Sequence, residues 1–291
     1  MCHKIRRMRN ILIALALSMT ASVALAQVAE GDQHYAARAE GHVGGRAKPA
    51  HVDAAIAGYQ RAVAANPKDL EARWKLLRAY RFKGAYVAAT NDDKKKVYAE
   101  AKKAGEGALA LLDNALKVKG VTSVVKATEK QVADAARTIP GAGETFLWDA
   151  VNWGEWALAY GKMAAAREGA ADRIRREATI AMLVDPKLEG GAPQRVLGRL
   201  HDQTPRIPFL TGWASEKEAV RFLNESLKVD PSNKITKVFL AEAMVSNDGN
   251  TKPQAMQMLK ECLTAPNPPE YEVEQAAATE DARALLKKWG A

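Results

Sequence analysis

Apolar and small residues along this 291-residue chain recur at helical spacing, in a four-point template that returns several times. Ala55, Tyr59 and Ala62 fall at i, i+4 and i+7, one face of a helix that Asn66-Pro67 ends. The same spacing recurs at Ile174, Ala178, Ala181 and Pro186, and again at Ala219, Leu223, Ser226 and Pro231. A fourth copy keeps Ala101, Gly105 and Ala108 but has Asp113 in place of proline. A second kind of stripe alternates with the template. It holds Leu76, Leu77 and Tyr80, then Trp153, Trp156, Ala157 and Tyr160, then Leu197, Gly198 and His201, then Leu240, Ala241 and Met244. The spacing has a cause: small residues let paired helices touch, a ring fills the gap, and proline stops the helix where the chain reverses. The pattern predicts an all-α stack of helix pairs.

Three segments break the rhythm. Residues 119–145 read as an insertion carrying an extra helix, with Val125, Thr128, Val132, Ala135 and Ile139 on one face and Pro140, Gly141 and Gly143 ending it. Residues 203–214 form an enlarged turn, after which Ser215 and Glu218 make a capping box for the next helix. Near the end Pro266, Pro268 and Pro269 give a stiff connection. Ala282, Leu285, Leu286 and Trp289 then place a short helix at about 279–289 that caps the open end of the stack.

Residues 1–26 read as a signal peptide: Lys4, Arg6, Arg7 and Arg9, an apolar run from Ile11, and Ala24-Leu25-Ala26 as a small-x-small cleavage site. The run is short for a membrane span of about 20 residues. Cleavage after Ala26 would leave an exported chain of one domain, 27–291. The formal charge of +9 then loses four basic residues. The remainder has no concentrated basic face, which argues against nucleic acid as a partner. The clusters Arg173, Arg175, Arg176 and Lys94, Lys95, Lys96 lie beside acids and read as solvated helix faces. Cys2 precedes the apolar run, so there is no lipoprotein cysteine; Cys262, the other cysteine, reads as a small buried apolar residue.

Over residues 50–265 the template resembles the tetratricopeptide-repeat superfamily, which implies an α-solenoid of imperfect tetratricopeptide-like helix pairs. Within it, residues 191–231 resemble the T-component of tripartite ATP-independent periplasmic (TRAP) transporters. The resemblance is carried by Leu197-Gly198-Arg199, Thr204-Pro205-Arg206, Gly212 ahead of Ser215-Glu216-Lys217-Glu218-Ala219, and Ala241-Glu242. It implies a periplasmic, non-enzymatic scaffold, accessory to solute uptake, whose partner is the transporter's solute-binding protein; it also allows a homo-oligomer with a ligand-holding cavity. The generic repeat supports an alternative, an envelope-assembly adaptor that binds peptide segments in its groove.

Catalytic signatures are missing. No His-Glu-x-x-His, Gly-x-Ser-x-Gly or phosphate-loop pattern occurs, and His34, His42 and His51 lack metal-ligand spacing, so neither metal nor cofactor is expected. An envelope hydrolase would need His201 as its base, and that residue fits a core or lining ring better. The candidate ligand or partner contacts are Trp148, which lies off the Trp153–Trp156 stripe, and Arg206, Phe209 and Trp213 in the enlarged turn. Those three either plug the end of a helix pair or meet a ligand.

Overall fold

A computed structural model describes residues 24–290. They form thirteen α-helices and no β-strand. In order these are α1 (24–36), α2 (Pro49–Ala65), α3 (Leu70–Phe82), α4 (Asn91–Val118), α5 (Glu129–Ala136), α6 (Ala142–Tyr160) and α7 (Lys162–Arg167). They continue as α8 (Ala170–Val184), α9 (Ala192–Gln203), α10 (Glu216–Val229), α11 (Lys234–Asn247), α12 (Lys252–Thr264) and α13 (Glu272–Trp289).

Local chemistry sets the boundaries. Asp69, Thr90, Thr128, Ser215 and Asn233 each accept a first-turn N–H, as N-cap side chains do. The three template prolines share one device. Asn66, Asp185 and Asp230 each donate their backbone N–H to the template's last small residue, Ala62, Ala181 or Ser226. Each then folds its side chain over the proline to accept the N–H two residues on, at 3.2, 2.8 and 3.1 Å. The template ends helices because an Asx side chain replaces the bond that proline cannot make.

Small template positions are where helices touch. Ala55, Ala62, Ala178, Ala181 and Ala219 are fully buried. At Gly198 of α9 an added Cβ would sit 2.5 Å from Leu223 of α10. The pairs are α3/α4, α6/α8, α9/α10 and α11/α12, with α1 against α2 ahead of them. First helices also touch in sequence, α3 on α6, α6 on α9, α9 on α11 and α11 on α13, whereas the second helices do not meet one another comparably. The stack therefore curves with its first helices inside. It is an all-α solenoid of tetratricopeptide-like pairs.

The inserted helix α5 lies outside this row and buries Val132, Ala133 and Ala136 against α8. Arg176 holds it there, bonding Glu129 at 3.0 Å and the carbonyls of Val124 and Ala127. Arg173 is likewise committed, to Asp149 and Glu177. Arg173 and Arg176 are thus internal ties, whereas Arg175 pairs with Asp172 on the surface.

The C-terminal helix is longer than its apolar stripe, and its first half has another job. Ala278, Ala282 and Leu286 pack with α11 and α12, but Val273 and Ala277 join the cluster built by Val28, Tyr35, Val52 and Phe82. Gly45 lies so close to Ala277 that an added Cβ would meet its Cα at 2.5 Å. Arg38, 8% exposed, bonds Glu274 at 2.9 and 3.2 Å and also donates to the carbonyls of Tyr35 and Glu270. The two ends of the array meet, and α13 closes the stack rather than capping an open end.

Candidate functional site

Closure brings Tyr35 and Tyr271 up against residues of the inner row. On α3, Trp74, Arg78 and Arg81 recur at i, i+4 and i+7, one helical stripe beside the buried Leu76, Leu77 and Tyr80. Facing it on α6 are Trp148, Asn152 and Glu155. Asn152 Nδ2 donates to Leu77 O at 3.0 Å, and Glu155 Oε1 lies 3.6 Å from Arg81 Nε. Trp148 lies one turn before Asn152, and the Trp74 ring packs against Gly141 at the start of the same helix. Arg195 of α9 completes the wall.

Glu189 enters the same face from the turn between α8 and α9. It holds φ +46° although it is not glycine, and Gly190 and Gly191 follow at +63° and +76°. Such a conformation costs on the order of 1–3 kcal/mol and persists where the surroundings over-determine it. Its carboxylate takes a hydrogen bond from Tyr271 Oη at 3.1 Å and lies 3.9 Å from Arg78 Nη1. The Arg78 guanidinium rests 4.1 Å from the ring centre of Tyr35 and 5.1 Å from that of Trp74.

Charge is unevenly matched here. Burial opposes the charge on Arg81, but Tyr86 and Glu155 outweigh it and hold the pKa above its ordinary value. Arg195 goes the other way, pushed down to about 10 by burial and then by Arg81. Its one side-chain bond is to Thr236 Oγ1 at 3.3 Å. Arg199, a turn along the same helix, has both Asp202 and Glu242, at 3.0 and 2.8 Å.

Of the residues singled out from the sequence, Trp148 belongs to this face, half-buried, with its Nε1 donor lacking any protein acceptor. The other three lie together on a separate edge. Arg206 is exposed. Phe209 is fully exposed at 107%, with φ +64°. Ile207 and Leu210 beside it are also exposed, so the turn carries an apolar tip on a hydrogen-bonded base in which the Ile207 N–H donates to Thr211 Oγ1 at 3.1 Å. Trp213 instead docks inward. Its Nε1 donates to Asp172 Oδ1 at 2.9 Å, its ring meets His201 edge-on at 5.2 Å, and Arg175 lies 4.5 Å from its centre.

His201 replaces half of the expected capping box. Ser215 accepts the Glu218 N–H, but its own N–H goes to His201 Nδ1 at 3.2 Å, while Glu218 turns to Arg221. Nδ1 must be unprotonated to accept. Burial lowers the His201 pKa, Arg175 and Arg221 push the same way, and Glu218 opposes them. The unfolded chain then binds more protons between the folded value and about 6.5, so this group's contribution is present above about 6.5 and fades as pH falls through the folded value. The expected result is a turn that loosens in mild acid. Hydrogen exchange over residues 204–215 should quicken below about pH 6 in the parent and be fast but pH-flat in His201→Ala, apart from the ordinary chemical trend. Identical profiles in the two proteins would remove the latch.

The stripe on α3, Arg195 and Glu189 were not singled out from the sequence. Cys262 is fully buried, its thiol pKa raised by burial first of all. No group of three metal-ligating side chains occurs among the described residues.

No protein-family model matches the chain, and no curated protein matches it by sequence. Among solved structures it is similar to the TPR2AB-domain:pHSP90 complex of yeast Sti1, at 16% identity and a TM-score of 0.31 over 92% of this chain and 98% of that one. It is also similar to yeast Tom70, at 16% and 0.30 over 91% of this chain and 65% of that one, so it spans less than two thirds of Tom70. At these scores the packing of the helix pairs, rather than either superposition, carries the fold.

Proposed function

We propose that the chain is an exported, non-enzymatic binding scaffold that holds a small ligand on its inner face and docks a partner protein at the turn of residues 204–214. In the form the sequence resemblance suggests, it is the accessory T-component of a TRAP-type solute uptake system, and the partner is the periplasmic solute-binding protein. The observation that carries the reading is the meeting of α13 with the N-terminal segment through Arg38, Glu274, Gly45 and Ala277. An array joined end to end favours an enclosed, ligand-sized face over the open groove that an extended peptide needs, so the envelope-assembly adaptor is the weaker reading. Cleavage after Ala26 is compatible with the packing. The contacts of α1 that lie beyond it, Val28 in the core, Gly31 under Tyr59 and Asp32 on Tyr59 Oη at 2.8 Å, would remain.

Partner capture tests this. A tagged mature chain, extracted under native conditions from an envelope fraction, should retain a periplasmic solute-binding protein. Phe209→Ser/Leu210→Ser should release that protein without moving the melting temperature, because both side chains are exposed. Recovery of outer-membrane or cell-wall assembly factors alone would favour the adaptor. Recovery of no partner at all would sink the uptake role.

A further inference from the structure

We infer that the inner face is a binding site for a small molecule carrying one oxyanion beside a flat apolar body. The inference deepens the reading of this face as the ligand-holding surface and does not depend on which protein docks outside.

Unmatched donors carry the argument. Arg78 Nε, Arg81 Nε and Trp148 Nε1 are buried and make no hydrogen bond among the described residues, although Glu155 Oε1 lies 3.6 Å from Arg81 Nε as an ion pair. Buried polar groups in folded proteins nearly always find partners, and leaving one without costs about 1–3 kcal/mol. Three such donors on the two facing stripes of α3 and α6 call for an acceptor brought from outside. The charges agree. Three guanidinium groups, Arg78, Arg81 and Arg195, meet two close carboxylates, Glu155 and Glu189, and Asp230 acts on Arg195 without forming an ion pair with it. Arg195 is the least directly matched: among the described residues it bonds only Thr236 Oγ1 and has no ion pair, while Arg199 on the same helix has two carboxylates. An arginine fork matches the two oxygens of a carboxylate or the edge of a phosphate, with the charge assisting each bond. A cation there would face the excess positive charge.

The flat body follows from the rings. The Arg78 guanidinium lies against both Trp74 and Tyr35, and Trp148 is on the facing helix, whose first residues pack on Trp74. These rings offer apolar area beside the donors, an arrangement usual in small-molecule sites. The strained backbone at Glu189 fits the same purpose. Its carboxylate keeps Arg78 turned inward and stops the site from becoming a bare cluster of like charges.

Thermal unfolding of the mature chain at constant ionic strength can decide it, with sodium benzoate, sodium phosphate and benzylammonium chloride as probes. Benzoate should raise the melting temperature in a saturable way, as a ligand of the folded state must. Arg195→Gln should weaken its apparent affinity at least about tenfold, the loss of one charge-assisted bond. Arg199→Gln should leave that affinity unchanged. Trp148→Phe should reduce the benzoate-dependent change in tryptophan emission, leaving the part that Trp74 reports. Phosphate acting as well as benzoate would keep the oxyanion and overturn the flat body. Stabilisation by benzylammonium, or no saturable effect of either anion, would overturn the inference. Benzoate binding without a captured partner sinks only the uptake role, and the reverse outcome sinks only this inference.

Discussion

Replacing Arg38 with alanine is expected to lower the melting temperature by roughly 10–15 °C and to loosen α13 before the rest of the chain. Arg38 is 8% exposed and Glu274 7%, so the substitution leaves a buried carboxylate without its cation. Breaking such a pair costs about 3–5 kcal/mol, and in a domain of this size each kcal/mol moves the midpoint by about 2–4 °C. The guanidinium also stacks 4.5 Å from the Tyr35 ring centre and 5.3 Å from that of Phe82, so packing is lost with the charge. The pair joins residues far apart in the chain, so its loss should appear as opening of the array. Cleavage in the segment holding Pro266, Pro268 and Pro269 should become faster by a larger factor than cleavage elsewhere. The companion variant Arg38→Met/Glu274→Gln should recover much of the loss, since it removes the orphaned charge and keeps the volume. A fall no larger than that for the exposed pair Lys130–Asp134, worth about 1 kcal/mol or less, would mean that apolar packing of Val273 and Ala277 closes the array alone.

This closure was not legible in the sequence. The stripe Ala282, Leu285, Leu286, Trp289 marks the half of α13 that packs on its neighbours, and it reads as a helix at a free end. Its other half carries Val273, Glu274 and Ala277 among charged residues, with no periodicity that names the N-terminal segment as its seat. Helix pairs were legible because their signal is local. The Asx-Pro stop, the small positions and the intervening ring all lie within one turn or two of each other. Contacts such as Gly45 on Ala277 join residues over two hundred positions apart, and one sequence does not say which glycine meets which alanine.

Candidate residues divide on the same line. Trp148 stood out because it left the stripe that Trp153 and Trp156 define, and an off-stripe ring needs some other surface. Arg78, Arg81 and Arg195 gave no such cue, because a cation opposite a helix's apolar side looks the same facing solvent or an enclosed interior. Curvature decides between those, and it comes from the contacts among first helices. His201 shows the opposite case. Its place in the repeat suggested a ring in the core, and the ring does stack on Phe222 at 5.6 Å, yet its nitrogen also caps α10. That second role depends on where the enlarged turn brings Ser215, which spacing does not encode.

The largest pH-dependent effect should come from α6 and α8, where Asp149, fully buried, and Glu177 share Arg173. Burial raises the Glu177 pKa well above its ordinary value, Asp149 adds to the rise, and Arg173 opposes it. Asp149 Oδ1 and Glu177 Oε2 each lack a donor among the described residues, and hydrogen bonding to Asp149 is among the causes of the rise, so a proton kept on Glu177 serves the pair. Two carboxylates, one proton and one guanidinium are then electrically neutral. The sign follows. In the fold Glu177 keeps its proton to a higher pH than in the unfolded chain, so its contribution is fully present below about 4.3 and lost as pH rises through the folded value. Glu177→Gln, which holds a donor permanently, should therefore gain stability relative to the parent as pH rises from about 5 to about 8. Arg173→Met at neutral pH should lose about 3–5 kcal/mol, roughly 10 °C, by stranding the pair. Arg173→Met/Glu177→Gln should restore part of that loss, leaving Asp149 with a permanent amide donor. Melting curves across pH check all three. If Glu177→Gln is destabilising by the same amount at every pH, Glu177 is ionised in the fold, and Arg173 binds two carboxylates rather than one carboxylate and a protonated Glu177.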